Sequence, residues 1–108
     1  LGAPRRLPRQ IRHFETPARP EFTQDTANHR TVLHLTATDR PGLLSLVGRA
    51  FAKTGVRIIS AKIATVGALA DDTFFITDLH GQPIEDAAHL ERIAAALGEH
   101  LDGPARAA

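Results

Sequence analysis

The chain predicts an α+β sandwich in which two helices cover one face of an antiparallel-rich sheet, and three observations carry this expectation. Segments rich in Val, Ile, Thr and Phe at Thr31–Thr38, Val56–Val66 and Thr73–Leu79 have strand character. Apolar residues at spacings of three and four mark two helices, one over Pro41–Thr54 and one between Asp86 and Leu101. The resulting order is strand, helix, strand, strand, helix, with turn residues at each boundary.

Each element has its own warrant. Residues 1–20 carry Arg5, Arg6, Arg9, Arg12 and Arg19 among Pro4, Pro8, Pro17 and Pro20, and read as a basic, Pro-rich linker or arm leading from an upstream domain. Glu21–Asp25 is a short strand candidate, separated by Thr26–Arg30 from Thr31–Thr38. In the latter, Leu33, Leu35 and Ala37 share one face and Val32, His34 and Thr36 the other, as in a sheet with one wet side. The first helix carries Leu43, Leu44, Val47, Ala50 and Phe51 on one stripe, leaves Arg49 and Lys53 outside it, and stops at Gly55.

The apolar phase of Val56–Val66 shifts between Ile58 and Ile59, which predicts a bulge. Gly67–Asp71 is a small-residue connection into the strand around Phe74, Phe75 and Ile76. Asp78 and Gly81 occupy the outer positions of a type I turn, and Gln82-Pro83 prevents strand continuation. Asp86 is placed to cap the second helix, whose Leu90, Ile93, Ala94, Leu97 and Leu101 form an apolar face before Gly103-Pro104. The domain is thus expected over residues 21–101, with 102–108 as a C-terminal tail. That tail is too short and too polar to supply a fourth long strand. Glu21–Asp25 is therefore expected to fill the missing edge, antiparallel to Thr31–Thr38, and an edge left open invites a partner domain or a second copy.

Composition removes several function classes. A chain of 108 residues holds one core, and one that begins at Leu1 without any Met is expected to be part of a longer product. The absence of Cys removes disulfides and thiolate chemistry and suits a reducing compartment. No apolar run approaches the roughly 20 residues of a membrane span, so a cytoplasmic, soluble domain without a membrane partner is expected. A net charge of +1, with no Trp or Tyr and five Phe, argues against nucleic acid. The six histidines show no metal-ligand spacing, and Ser45 and Ser60 have no adjacent base. Asp71-Asp72 reads as a solvated hairpin end, since neighbours on a strand face opposite ways. No catalytic residue and no metal site is expected.

The most informative stretch is TVLHLTATDRPGLL, Thr31–Leu44, a strand running through an Asp-Arg-Pro-Gly turn into a helix. Pro41 has the φ of a first helical position, and Asp39 is suited to bond the turn backbone. The first N–H groups of the helix lack intrahelical partners and sit at its positive end, where a carboxylate docks favourably. Locally, the same residues also serve as nothing more than a helix start.

Together with SAKIAT at Ser60–Thr65, and DTFFITD followed by GQP at Asp72–Asp78 and Gly81–Pro83, this turn resembles the ACT domain. The resemblance covers about Thr31–Leu101 and is greatest to the C-terminal ACT domain of bifunctional uridylyltransferase/uridylyl-removing enzymes, which modify the PII nitrogen-signalling protein. It implies a ferredoxin-like fold and a regulatory amino-acid site between two domain copies. Asp39 would accept a bond from the ligand's ammonium, Gly42, Leu43 and Leu44 would offer backbone N–H groups to its carboxylate, and Arg40 would face ligand or solvent. Ser60, Ala61, Lys62 and Ile63 would form the strand side. The implied ligand is glutamine, and the implied partners are a tandem ACT domain, other domains of the same chain, PII, and a second copy. Catalysis, with its divalent metal and UTP, would lie in other domains, leaving this one without a cofactor.

Overall fold

The computed structural model describes residues 17–102. The arm up to residue 16 and the tail from residue 103 lie outside the described residues. Strand β1 (Arg19–Asp25) passes through a 3-10 turn, Thr26–Asn28, into β2 (Arg30–Thr38). Helix α1 (Leu43–Thr54) leads to β3 (Val56–Lys62), the two-residue β4 (Thr65–Val66), β5 (Leu69–Asp78) and helix α2 (Ala87–Leu101).

The sheet order is β1-β2-β5-β3, with β4 paired to β5, and every pairing is antiparallel. The N-terminal strand fills the edge as expected, placing Phe22 opposite Leu33. It begins two residues earlier than Glu21. The register of β3 against β5 shifts between Ile58 and Ser60, where the apolar phase change predicted a bulge. The long strand expected to Val66 is interrupted at Ile63–Ala64, and the connection after it is only Gly67-Ala68, so β5 starts at Leu69 and contains Asp71 and Asp72.

One face of the sheet is apolar and carries the helices. Leu33, Leu35 and Ala37 of β2 and Phe74 and Ile76 of β5 are buried beneath Val47, Ala50 and Phe51 of α1 and Ile93, Leu97 and Leu101 of α2. Phe51 and Phe74 meet edge to face, with ring centroids 5.5 Å apart at 88°. Burial of either ring contributes about 1.5–3 kcal/mol. The other face is polar or half-buried. There Arg30 pairs with Asp25 at 2.9 Å and lies 4.1 Å over the Phe75 ring.

Turns fix the ends of these elements. Gly55, at φ 71°, closes α1 by donating its N–H to the Phe51 carbonyl. Asp78 Oδ1 accepts from the His80 and Gln82 N–H groups at 2.8 and 2.9 Å. Those bonds, the Gln82 one foremost, hold its carboxyl below the ordinary aspartate range. Inside the fold, Thr31 Oγ1 accepts the Ile84 N–H at 2.8 Å and donates to Gln24 Oε1 at 2.9 Å, fastening the loop before α2 to the sheet.

Candidate functional site: a cleft at the start of the first helix

The Asp-Arg-Pro-Gly segment folds as a type II turn. The Leu43 N–H donates to the Arg40 carbonyl at 3.2 Å, Pro41 stands at the corner, and Gly42 takes φ 79° and ψ 5°. That left-handed backbone suits glycine and ends the turn, so α1 begins at Leu43 and Pro41 lies outside it. This corrects the expectation of Pro41 as the first helical residue. It also removes Leu43 from the available donors, because its N–H is spent inside the turn. The N–H groups of Gly42, Leu44 and Ser45 have no protein acceptor among the described residues. No side chain caps this helix.

The residues carrying these donors lie at a cleft of about 260 Å³ lined by the turn and α1 start (Asp39 to Ser45 without Pro41), by Ile63 and Ala64 between β3 and β4, by Thr65 of β4, and by Ala70 and Asp72 of β5. Its walls are tied together through backbone. The Asp39 N–H donates to the Ala68 carbonyl at 2.9 Å, and the Asp71 N–H to the Ala64 carbonyl at 2.9 Å. Asp72 Oδ1 in turn accepts the Ala64 N–H at 3.2 Å. That exchange bends the chain at Ile63–Ala64 and explains the break between β3 and β4.

Of the residues expected at a site, Asp39, Arg40, Gly42, Leu43, Leu44 and Ile63 line this cleft. Ser60, Ala61 and Lys62 do not. Beyond the β3 bulge, Ser60 and Lys62 oppose Phe75 and Thr73, and the Lys62 ammonium lies 5.9 Å from the Phe75 ring on the helix-free face. Arg40 lines the cleft while its Nη2 donates to the Leu101 carbonyl at the end of α2. Leu44, expected in the core stripe, is 49% exposed at the cleft rim.

Sequence reasoning missed Ser45, Ala64, Thr65, Ala70 and Asp72. Asp72 is not a solvated hairpin end: it is 1% exposed. Burial first, and then the nearby charges of Asp39 and Asp71, raise its carboxyl above the ordinary range against the lowering effect of the Ala64 bond. Asp71, facing the other way, meets His34 Nε2 at 2.5 Å across the polar face. The signal for Asp72 was present in its phase, since it alternates with Phe74 and Ile76.

Among the described residues there is no group of His, Asp and Glu arranged to hold a metal ion. No described helix is long and apolar enough to cross a membrane. The arrangement brings unpaired N–H donors and Asp39 on the turn wall to the same cleft as the Asp72 carboxylate of β5.

A family model of the ACT domain matches residues 31–99, and the chain belongs to this family. Its ferredoxin-like sandwich agrees with that membership. The relatives narrow the likeness to bifunctional uridylyltransferase/uridylyl-removing enzymes. The enzyme of Methylococcus capsulatus is 52% identical over 88 residues, covering 79% of this chain and 10% of that protein. That of Pseudomonas entomophila is 41% identical over 97 residues, 90% of this chain and 11% of the relative. For Azotobacter vinelandii the identity is 39% over 97 residues, again 90% and 11%. The chain thus spans about a tenth of the length of the relatives it matches.

Proposed function

We propose that this chain is the amino-acid-sensing ACT domain of a cytoplasmic, bifunctional PII uridylyltransferase/uridylyl-removing enzyme, and that its ligand is L-glutamine. The observation that carries the proposal is the uncapped start of α1, with the Gly42, Leu44 and Ser45 N–H groups facing a cleft that also holds Asp39. The ligand carboxylate docks on those donors at the positive end of the helix. Its ammonium is met by carboxylate. A cleft of about 260 Å³ is smaller than the roughly 300–1,000 Å³ of pockets for drug-sized ligands, as suits a free amino acid.

Regulation follows from differential affinity. Glutamine shifts the parent enzyme from adding UMP to PII toward removing it only by binding one arrangement of domains more tightly than another. The UTP and divalent metal of that chemistry belong to other domains. A tandem ACT domain or a second copy packs along the β3 edge, where Ile58, Ile59, Ile63 and Val66 are exposed.

Those exposed apolar residues also favour a second reading, a ligand-free interdomain or dimerisation module. Asp39→Ala separates the two. Under the sensing role this variant keeps its fold and binds glutamine more weakly; under the second role it changes stability alone, by about 1 kcal/mol or less.

A further inference from the structure

The floor of the cleft holds a group with unused binding capacity. Asp72 lies on the inner face of β5 between Ala70 and Phe74, is 1% exposed, and lines the cleft. Its Oδ1 accepts one neutral bond, from the Ala64 N–H at 3.2 Å. Its Oδ2 has no donor among the described residues and is not sealed from the cleft. A buried carboxylate ordinarily has a cationic partner. Here the ion pairs of the described residues join Arg30 to Asp25, His34 to Asp71 and Lys53 to Glu99, and none reaches Asp72. Arg40, the cation of the cleft lining, is held by the Leu101 carbonyl.

A charge left in this state destabilises the empty domain, and a cation entering the cleft relieves it. The ammonium of an amino acid whose carboxylate sits on the Gly42, Leu44 and Ser45 N–H groups is such a cation, since Asp72 lines the same cleft. We propose that Asp72 is a specificity-determining residue that receives the ligand's ammonium at the cleft floor, with Asp39 at the rim. The site thereby selects amino acids with a free amino group over deaminated or N-acylated analogues. This inference rests on the sensing role given above and adds a contact to it.

The test is a calorimetric titration of the 108-residue chain and its Asp72→Asn variant with L-glutamine and with glutaramate, its deaminated counterpart. The expected result is at least a tenfold loss of glutamine affinity in Asp72→Asn, with an equal or higher melting temperature. A residue with only a structural role would lower that temperature. The preference of the wild type for glutamine over glutaramate also shrinks in the variant. Unchanged affinity in Asp72→Asn overturns the Asp72 assignment and leaves the sensing role standing. Absence of saturable glutamine binding by the wild type overturns both. Independently of the variant's folding, the carboxyl carbon resonance of Asp72 in the wild type shifts on saturation with glutamine; a stationary resonance overturns the assignment.

Discussion

The two helices begin in opposite ways. At α2, Asp86 is extended at φ −72° and ψ 120°, and its carboxylate accepts the Ala88 N–H at 3.4 Å, so this start carries a side-chain cap on one of its first N–H groups. At α1 the residue in the same position is Gly42, left-handed and without a side chain, and the Gly42, Leu44 and Ser45 N–H groups remain open to a cleft. Both helices bury one apolar face against the same sheet, so packing does not explain the difference. The α2 start has a side-chain cap, whereas the α1 start has none and lies at a cleft that Asp39 and Asp72 also line. The proposed sensing role assigns recognition to the second.

The largest expected effect comes from removing the rim carboxylate beside the open start. Asp39→Ala is predicted to weaken glutamine binding by roughly tenfold to a hundredfold, the equivalent of about 1.5–3 kcal/mol for a charged hydrogen bond, as read by calorimetric titration. Its denaturant midpoint should move little. Wild-type affinity in this variant would erase the functional side of the contrast.

Gly42→Ala comes next. A Cβ there meets nothing within 4 Å, so the penalty is conformational alone, about 1–2 kcal/mol for an L-residue held at φ 79°. Urea denaturation should detect it, together with weaker ligand binding as the turn distorts. At the capped start of α2, Asp86→Ala should cost about 0.5–1 kcal/mol, toward the low end for a cap because its bond is long, while leaving glutamine affinity unchanged. A loss of affinity in Asp86→Ala would mean that the two starts are not functionally distinct.

The smallest effect is on pH dependence. Asp72 has a raised folded pKa, so it binds more protons folded than unfolded just above about pH 3.9, and its contribution falls as pH rises through that window. Asp25 and Asp78 are lowered, the first by its Asn28 and Arg30 bonds, so their contributions are present above about pH 3.9 and disappear below it. Subtracting Asp72→Asn from wild type in a melting series from pH 4 to 7 isolates the declining limb. A flat difference would contradict the burial of an uncompensated charge at Asp72.

Sheet and helix periodicity were legible because they repeat. Leu33, Leu35 and Ala37 kept their period of two, the phase slip near Ile58 became a bulge, and the need for a fourth strand located β1. Features set by a single backbone angle or by distant contacts were not. Gly42 at positive φ moved the helix start past Pro41, and the Asp72–Ala64 bond broke the long strand, so that of the expected Ser60–Ile63 side only Ile63 lines the cleft, joined by Ala64 and Thr65. The turn side of the cleft was readable as a motif. The other side includes a buried carboxylate whose place in the cleft appears only when β5 is laid beside the β3–β4 bend.

The most direct measurement of the central claim is a calorimetric titration of this chain with L-glutamine, with D-glutamine and L-glutamate as controls and the oligomeric state recorded alongside. The open start of α1 predicts saturable, stereospecific binding that Asp39→Ala weakens. No heat, together with an unchanged melting temperature at millimolar glutamine, would contradict it and leave the uncapped helix as a feature of the fold alone.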